Sequence, residues 1–120
     1  MNLKKIDIDD KALFDSYLSV HNSHASEMTF TNLFMWRDYY GIRYLEAEGL
    51  LCIISVPEKG EPFAFMPVGE IDNKSFAKAF AGLYEYFGEN GWKPEFRRVE
   101  ERHFQYFNKV EGFDVKTLYD

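Results

Sequence analysis

Apolar residues recur every three or four positions in two stretches near the start of the chain, which predicts two helices. The first helix follows a short strand over residues 4–8, and Asp9 or Asp10 is expected to cap it. Its apolar face consists of Leu13, Phe14, Tyr17 and Leu18. After a polar loop over residues 21–26, the second helix spans residues 29–40. Its apolar positions are Phe30, Leu33, Phe34 and Met35, and Gly41 follows where a left-handed residue commonly ends a helix.

The pattern then changes from helical to strand-like. Residues 42–46 and 63–66 are predicted strands on either side of a third, over residues 50–56, in which nearly every position is apolar. A strand that is apolar on both faces is typical of the covered centre of a sheet. Turn-forming residues separate these segments at 46–49 and 57–62, so the three strands are expected to form an antiparallel meander.

The second half of the chain predicts one long helix and three shorter elements. Asp72 is expected to cap the long helix over residues 73–89. Its apolar positions are Phe76, Phe80, Leu83, Tyr84 and Phe87. A strand over 96–99, a short helix over 100–108 and a strand over 113–119 follow. The order β-α-α-β-β-β-α-β-α-β predicts a mixed α+β class, with a mostly antiparallel sheet flanked by helices.

Composition narrows the possible functions. The 120 residues fit a single domain, and 18% of them are aromatic, which argues against disorder. The formal charge is -6, with basic residues spread along the chain, so direct binding of nucleic acid is not expected. The longest apolar run is too short for a transmembrane segment. A single cysteine, with no apolar leader at the N-terminus, suits the reducing cytoplasm, which is the expected location.

Residues 26–40 carry the most specific motif, which reads SEMTFTNLFMWRDYY. This segment resembles the opening of bacterial proteins in the lysyl-phosphatidylglycerol synthase C-terminal domain family. Members of that family carry S-E-x-x-F-T-N-L-x-x-W-R-x-Y-Y ahead of their first meander. The matching residues are Ser26, Glu27, Phe30, Thr31, Asn32, Leu33, Trp36, Arg37, Tyr39 and Tyr40. The resemblance continues weakly through residues 65–69 and loosely over the rest of the chain.

The resemblance implies an acyl-CoA N-acyltransferase (GNAT) fold that lacks its last strand. The family's full unit has two GNAT-like halves, and residues 1–120 correspond to the N-terminal half. For the full unit it implies an acyl or aminoacyl transferase, with acetyl-CoA or charged tRNA expected by analogy alone. This chain by itself is then a non-catalytic scaffold without a cofactor. Its strand over 113–119 would lie at an unpaired sheet edge, where the second half or another copy is expected to pair.

Two other interpretations remain open. One is a small acyl-CoA N-acyltransferase that is active as a dimer across the same edge. The other is a protein-interaction module that uses the aromatic residues of its surface.

The segment before the long helix is where the resemblance would place a CoA pyrophosphate. That site in the superfamily is a Q/R-x-x-G-x-G/A loop, whose N–H groups bind phosphate together with a helix N-terminus. Residues 66–73 contain a single glycine, a proline and two acidic residues, Glu70 and Asp72, which repel phosphate. We interpret this segment as a helix cap, and Gly69 and Asn73 are weak candidates for cofactor contacts.

Four residues of the motif are candidate contacts with a pocket or with the second half: Asn32, Trp36, Arg37 and Tyr40. The guanidinium of Arg37 has the geometry to bind a carboxylate or phosphate. Asn32 and Arg37 are equally suited to bind carbonyl groups of a neighbouring strand. Trp36, Tyr39 and Tyr40 are expected to pack in the core or at its rim rather than to form a stacking platform.

The remaining polar residues form no pattern that is typical of a catalytic or metal site. His21 and His24 lie three apart beside Glu27 but lack a third ligand. His103 is expected to pair with Glu100, and Cys52 is expected to be an inert core thiol. Arg97 and Arg98 would point to opposite faces of a strand and cannot form one clamp. No pattern typical of a Ser-His-Asp hydrolase is present.

Overall fold

The computed structural model describes residues 3–21, 29–97 and 104–107. Its strands are β1 (Lys4–Lys5), β2 (Ile42–Ala47), β3 (Leu50–Ser55) and β4 (Phe63–Ala64). Its helices are α1 (Lys11–His21), α2 (Phe30–Met35), α3 (Arg37–Tyr40), α4 (Asn73–Glu89) and α5 (Phe104–Phe107). The four strands form one sheet in chain order, each antiparallel to the next. The predicted meander and the mixed α+β class are therefore confirmed, whereas the strand expected over 113–119 lies outside the described residues.

Strand β3 is the centre of the sheet, and all six of its residues are buried. Alternate side chains point to opposite faces of a strand. Leu50, Cys52 and Ile54 accordingly belong to one core cluster, and Leu51 and Ile53 belong to another. The two-sided apolar pattern of the sequence thus reflects helices on both faces.

Helix α4 covers the first face and begins at the predicted cap. Oδ1 of Asp72 accepts a hydrogen bond from the Ser75 N–H at 2.7 Å, and Oγ of Ser75 accepts one from the Asp72 N–H at 3.2 Å. Four of the five predicted apolar positions are buried: Phe76, Phe80, Leu83 and Phe87. The prediction is wrong for Tyr84, which is 46% exposed. Its ring stacks on Phe80 at a centroid distance of 5.9 Å, because a tyrosine can cover an apolar edge while its hydroxyl stays in water.

Helices α1 and α2 cover the second face. Phe14 of α1 is completely buried and makes edge-to-face contacts with Phe30 at 5.6 Å and Tyr44 at 5.0 Å. A short 3-10 turn precedes α1 and is capped by Asp7, whose carboxylate accepts a hydrogen bond from the Asp9 N–H. The predicted residue Asp10 takes part in this cap, because its carboxylate accepts a hydrogen bond from the Asp7 N–H at 2.8 Å. The predicted strand over 4–8 is correspondingly shortened to β1.

The helix predicted over residues 29–40 is divided in two at Trp36, which has φ −102° and ψ 12°. Thr29 caps α2 by accepting a hydrogen bond from the Asn32 N–H at 3.2 Å. At the division, the Arg37 guanidinium donates to the Phe34 carbonyl oxygen at 2.6 Å, and helix ends need such partners for their last carbonyl groups. Gly41 ends α3 in the predicted left-handed conformation, with φ 59° and ψ 48°.

The chain beyond β4 is irregular and leads into a parallel crossover. Ala64 pairs with Ile54 and Val68 pairs with Leu51, so β4 and its continuation have one more residue than β3 over this stretch, which defines a bulge. After α4 the chain returns beside β4, where Phe96 lies parallel to Ala64. The Ala64 N–H donates to the Glu95 carbonyl at 2.8 Å, and the Arg97 N–H donates to that of Ala64 at 3.0 Å. The rest of the strand predicted over 96–99 is outside the described residues.

Substitution of Gly41 tests how tightly α3 joins the sheet. Gly41 and Gly49 both have positive φ angles, 59° and 73°. A Cβ atom at Gly41 would lie 2.0 Å from the Val56 carbonyl oxygen, whereas one at Gly49 would have no neighbour within 4 Å. We expect Gly49→Ala to lower the free energy of unfolding by about 1–2 kcal/mol, the conformational cost alone. We expect Gly41→Ala to lower it by roughly 1–3 kcal/mol more, because the methyl group displaces backbone.

Urea unfolding of both variants and of the wild type measures this difference. Equal losses in the two variants would contradict the close contact between Gly41 and Val56.

Candidate functional site

A cleft of about 220 Å³ opens between the α2–α3 segment and the end of the sheet where β2 and β4 begin. Its floor consists of the buried apolar side chains Leu33, Ile42, Phe63 and Phe65. Its more exposed residues are Asn32, Trp36 and Tyr40. The cleft therefore extends from the surface to the core cluster that packs under α1 and α2.

Three of the four residues predicted as pocket or partner contacts line this cleft. Asn32, Trp36 and Tyr40 follow one another at intervals of four, which places them on one side of the helical segment. The fourth, Arg37, lies elsewhere: its guanidinium carbon is 3.8 Å from the centroid of the Phe34 ring. Arg37 thus joins α3 to α2. A binding role for the other three stays a prediction.

The aromatic residues of the motif form a cluster on the surface. Trp36, Tyr39 and Tyr40 are 50%, 70% and 39% exposed, and their ring centroids lie 4.9–6.3 Å apart in edge-to-face pairs. The expectation that they pack in the core is wrong, whereas Trp36 and Tyr40 do lie at its rim, beside the cleft whose floor belongs to the core cluster. Met35, which was counted among the apolar positions of the helix, is also exposed.

The chemistry of the cleft favours binding over catalysis. Its polar groups are the Asn32 amide, the Trp36 indole N–H and the Tyr40 hydroxyl, and no lining residue carries a carboxylate, imidazole, ammonium or thiol group. An apolar floor with a few polar groups at the opening is typical of a site that accepts an apolar group. General acid or base catalysis requires a titratable group within hydrogen-bond reach, and among the described lining residues only Tyr40 carries such a group.

The segment before α4 does not form an open loop. Val68 exchanges two backbone hydrogen bonds with Leu51, at 2.8 and 2.9 Å, and the Pro67 side chain is fully buried. Gly69 has φ 141°, and a Cβ atom there would lie 3.1 Å from both the Gly49 carbonyl oxygen and a methyl group of Leu50. Gly69 is therefore required for close packing on the β2–β3 turn.

The N-terminus of α4 is closed by the protein's own carboxylate. Asp72 accepts the Ser75 N–H, and this hydrogen bond lowers the pKa of the Asp72 carboxyl. The carboxylate is therefore charged at neutral pH at the position where an anion would interact with the helix dipole. Asn73, the other weak candidate for a cofactor contact, is the first residue of α4 and is exposed. These residues do not fit the pyrophosphate of a coenzyme A.

Other residues considered from the sequence have structural partners. Cys52 is completely buried in β3, and burial raises the pKa of its thiol to about 12. Arg97 pairs with Glu95 at 3.2 Å and lies over the Phe63 ring. The other residues considered lie outside the described part of the chain: His24, Glu27, Arg98, Glu100 and His103, together with the side chain of His21.

Sequence reasoning missed one interaction that joins the helical layer to the sheet. The Tyr17 hydroxyl donates to a carboxylate oxygen of Glu46 at 2.6 Å, and this bond raises the pKa of Tyr17 to about 12. The two residues are far apart in sequence, and no local pattern relates them. Within the described part of the chain, no cluster of His, Cys, Asp and Glu is suited to a metal ion. None of the helices described there has both the length and the apolarity to cross a membrane.

Comparisons with known proteins give one family and one fold. The family model described as phosphatidylglycerol lysyltransferase, C-terminal, matches residues 19–120. A crystal structure of a conserved protein of unknown function from Bacteroides thetaiotaomicron is similar with a TM-score of 0.80 at 17% identity. That similarity covers 93% of this chain but 36% of the other, so this chain spans about a third of the solved relative. None of the curated proteins matches.

The buried position of Cys52 predicts its reactivity. The Cys52 thiolate is the group that attacks a disulfide reagent such as dithiobisnitrobenzoate, and the raised pKa of the thiol makes this thiolate scarce. The reagent reaches Cys52 only when the sheet opens. We expect labelling of the folded chain to be at least about a thousandfold slower than labelling of the urea-unfolded chain, in line with ordinary domain stability. Absorbance of the released thionitrobenzoate measures both rates, with glutathione as the exposed-thiol control. Labelling of the folded chain at the rate of glutathione would contradict burial of Cys52.

Proposed function

Because the chain belongs to the family of phosphatidylglycerol lysyltransferase C-terminal regions, we propose that it is the non-catalytic first half of an aminoacyl- or acyltransferase-like unit. In this proposal the domain is GNAT-like and acts as a scaffold for a second GNAT-like half. Catalysis and the binding of the lipid and aminoacyl substrates belong to the complete unit rather than to this chain.

The arrangement of the sheet supports the GNAT-like assignment. Two helices precede an antiparallel meander, and α4 then connects β4 to a parallel neighbour at residues 95–97. This is the order that the sequence resemblance implies for the first half of the unit. The similarity to a solved chain nearly three times as long as the matched region is consistent with a larger unit of which this fold is one part.

The single observation that carries the proposal is the closed segment between β4 and α4. An acyl-CoA site of the expected kind requires free N–H groups in an open loop ahead of the helix. Here Val68 pairs with Leu51, Gly69 packs on the β2–β3 turn, and Asp72 occupies the helix N-terminus. The same residues that stabilise the fold thus take the place of the cofactor loop, which favours a scaffold over an independent enzyme.

Titration with acetyl-CoA tests the proposal directly. We expect no saturable heat in calorimetry with ligand up to the order of millimolar, because both geometry and charge oppose the pyrophosphate. Asp72→Ser is the matched variant, since serine retains a capping oxygen and removes the negative charge. We expect this variant also to fail to bind, because residues 66–69 remain paired with β3.

Two activities of the chain are tested in parallel. One is transfer of the acyl group from acetyl-CoA, and the other is transfer of lysine from charged tRNA to phosphatidylglycerol. Saturable acetyl-CoA binding by the wild type, with protection of residues 66–76 from amide exchange, would refute the scaffold proposal. So would turnover by this chain alone.

A further inference from the structure

The exposed apolar residues of the domain are concentrated on one face. Six large apolar side chains are exposed in the described part of the chain, and four of them lie within residues 35–40: Met35, Trp36, Tyr39 and Tyr40. We call these four residues, together with the adjoining cleft, the aromatic face. Single exposed apolar residues are ordinary, whereas a contiguous group marks a surface that binds another molecule. Tryptophan, tyrosine and methionine are the residue types enriched in protein interfaces.

The dimensions of the cleft indicate what it accepts. Its volume is about 220 Å³, and it lies beside the projecting rings of Trp36 and Tyr40. Sites for small molecules are larger, typically about 300–1,000 Å³. A cleft of this size with an apolar floor suits one large side chain of a protein partner, which is the usual form of an interface anchor.

We propose that the aromatic face is the docking surface for the second half of the unit, which inserts one large apolar side chain into the cleft between Trp36 and Phe63. This inference rests on the proposed scaffold function and names the surface through which the scaffold acts. It places the contact on the helical layer, where the sequence indicates Asn32, Trp36 and Tyr40 as candidate contacts with the second half, and not at the sheet edge predicted over residues 113–119.

The area of the face favours a partner in the same polypeptide over a second copy. The exposed parts of the three rings amount to roughly 300 Å², taking the usual 150–250 Å² for each aromatic side chain. Stable association of separate proteins buries about 800 Å² on each partner. A linked domain needs less, because linkage raises its effective concentration to about millimolar. In the solved relative, the region that matches this chain is joined to nearly twice its own length of further polypeptide.

The charges around the face argue against an anionic membrane as the occupant. The Arg37 guanidinium is already bound to Phe34, and Asp38 is exposed on the same helix as Tyr39 and Tyr40. The chain as a whole carries a formal charge of -6. Attraction to acidic lipids depends on clustered basic residues, so this surface gains nothing from them.

The aromatic face is held in place before any partner binds. Arg37 joins α3 to α2, and the Ser55 hydroxyl donates to the Tyr40 carbonyl oxygen at 2.5 Å, which attaches α3 to the central strand. A preformed surface avoids part of the entropy cost of ordering side chains on association. Docking on this face is therefore favoured even though its area is small.

The first measurement uses the full chain of the solved relative. Its residues at the positions of Trp36, Tyr39 and Tyr40 are located by superposition, and their accessible area is compared with and without the rest of that chain. We expect the rest of the chain to remove more than half of the exposure. Unchanged exposure would overturn the proposal. This outcome is independent of acetyl-CoA binding, so it can fail while the scaffold proposal stands.

The second measurement is sedimentation equilibrium of this chain, with Tyr39→Ser and the matched control Tyr84→Ser. Both tyrosines are exposed, but Tyr84 lies on α4, outside the aromatic face. We expect all three proteins to be monomers at concentrations on the order of 100 µM, as the small area requires. The wild type could instead form a dimer whose dissociation constant rises at least tenfold in Tyr39→Ser and is unchanged in Tyr84→Ser. That result would assign the face to a second copy. Cosedimentation with phosphatidylglycerol vesicles that Tyr39→Ser alone abolishes would assign it to a membrane. Either result would overturn the proposal.

Discussion

The structure depends on one strand that is apolar on both of its faces. Every residue of β3 is buried, and its neighbours on both sides are antiparallel strands. A strand of this kind cannot leave either face in water without losing the burial that stabilises the domain. Helix α4 must therefore cover one face, and α1 with α2 must cover the other. The three-layer arrangement follows from the side chains of these six positions.

The aromatic face lies where the helical segment ends and the sheet begins. Gly41 lies so close to Val56 that α3 stops where β2 begins, and the Ser55 hydroxyl fixes the last carbonyl of α3 to β3. The helical segment is short and divided at Trp36, and the rings of Trp36, Tyr39 and Tyr40 stay exposed. The floor of the cleft consists of buried residues of the same cluster that packs on β3. The packing of the core and the position of the cleft therefore depend on the same cluster of side chains.

The sequence predicts those parts of the fold that local physics controls. The Asp72 cap, the left-handed Gly41 and the two-sided β3 each follow from nearby residues, and each is confirmed. The division of the second helix at Trp36 is missed, and the hydrogen bond from the Arg37 guanidinium to the Phe34 carbonyl oxygen beside it is a side-chain contact that the apolar periodicity does not predict. The candidate residues Asn32, Trp36 and Tyr40 follow from the motif, but the floor of the cleft does not. Phe63 and Phe65 line the cleft beside α2 because the sheet brings them there, and no spacing in the sequence predicts this arrangement.

Stability and cofactor binding compete for the same groups at the start of α4. The N-terminus of a helix can bind either a phosphate or a capping side chain, because both use the same N–H groups and the same end of the dipole. In this chain Asp72 takes that position, and the bulge after β4 allows Val68 to pair with Leu51 and Gly69 to pack on the β2–β3 turn. A domain whose helix N-terminus is capped in this way retains its sheet and both helical layers. Of the six large apolar side chains that are exposed in the described residues, four belong to the motif that carries the family resemblance, and the three rings among them contact one another.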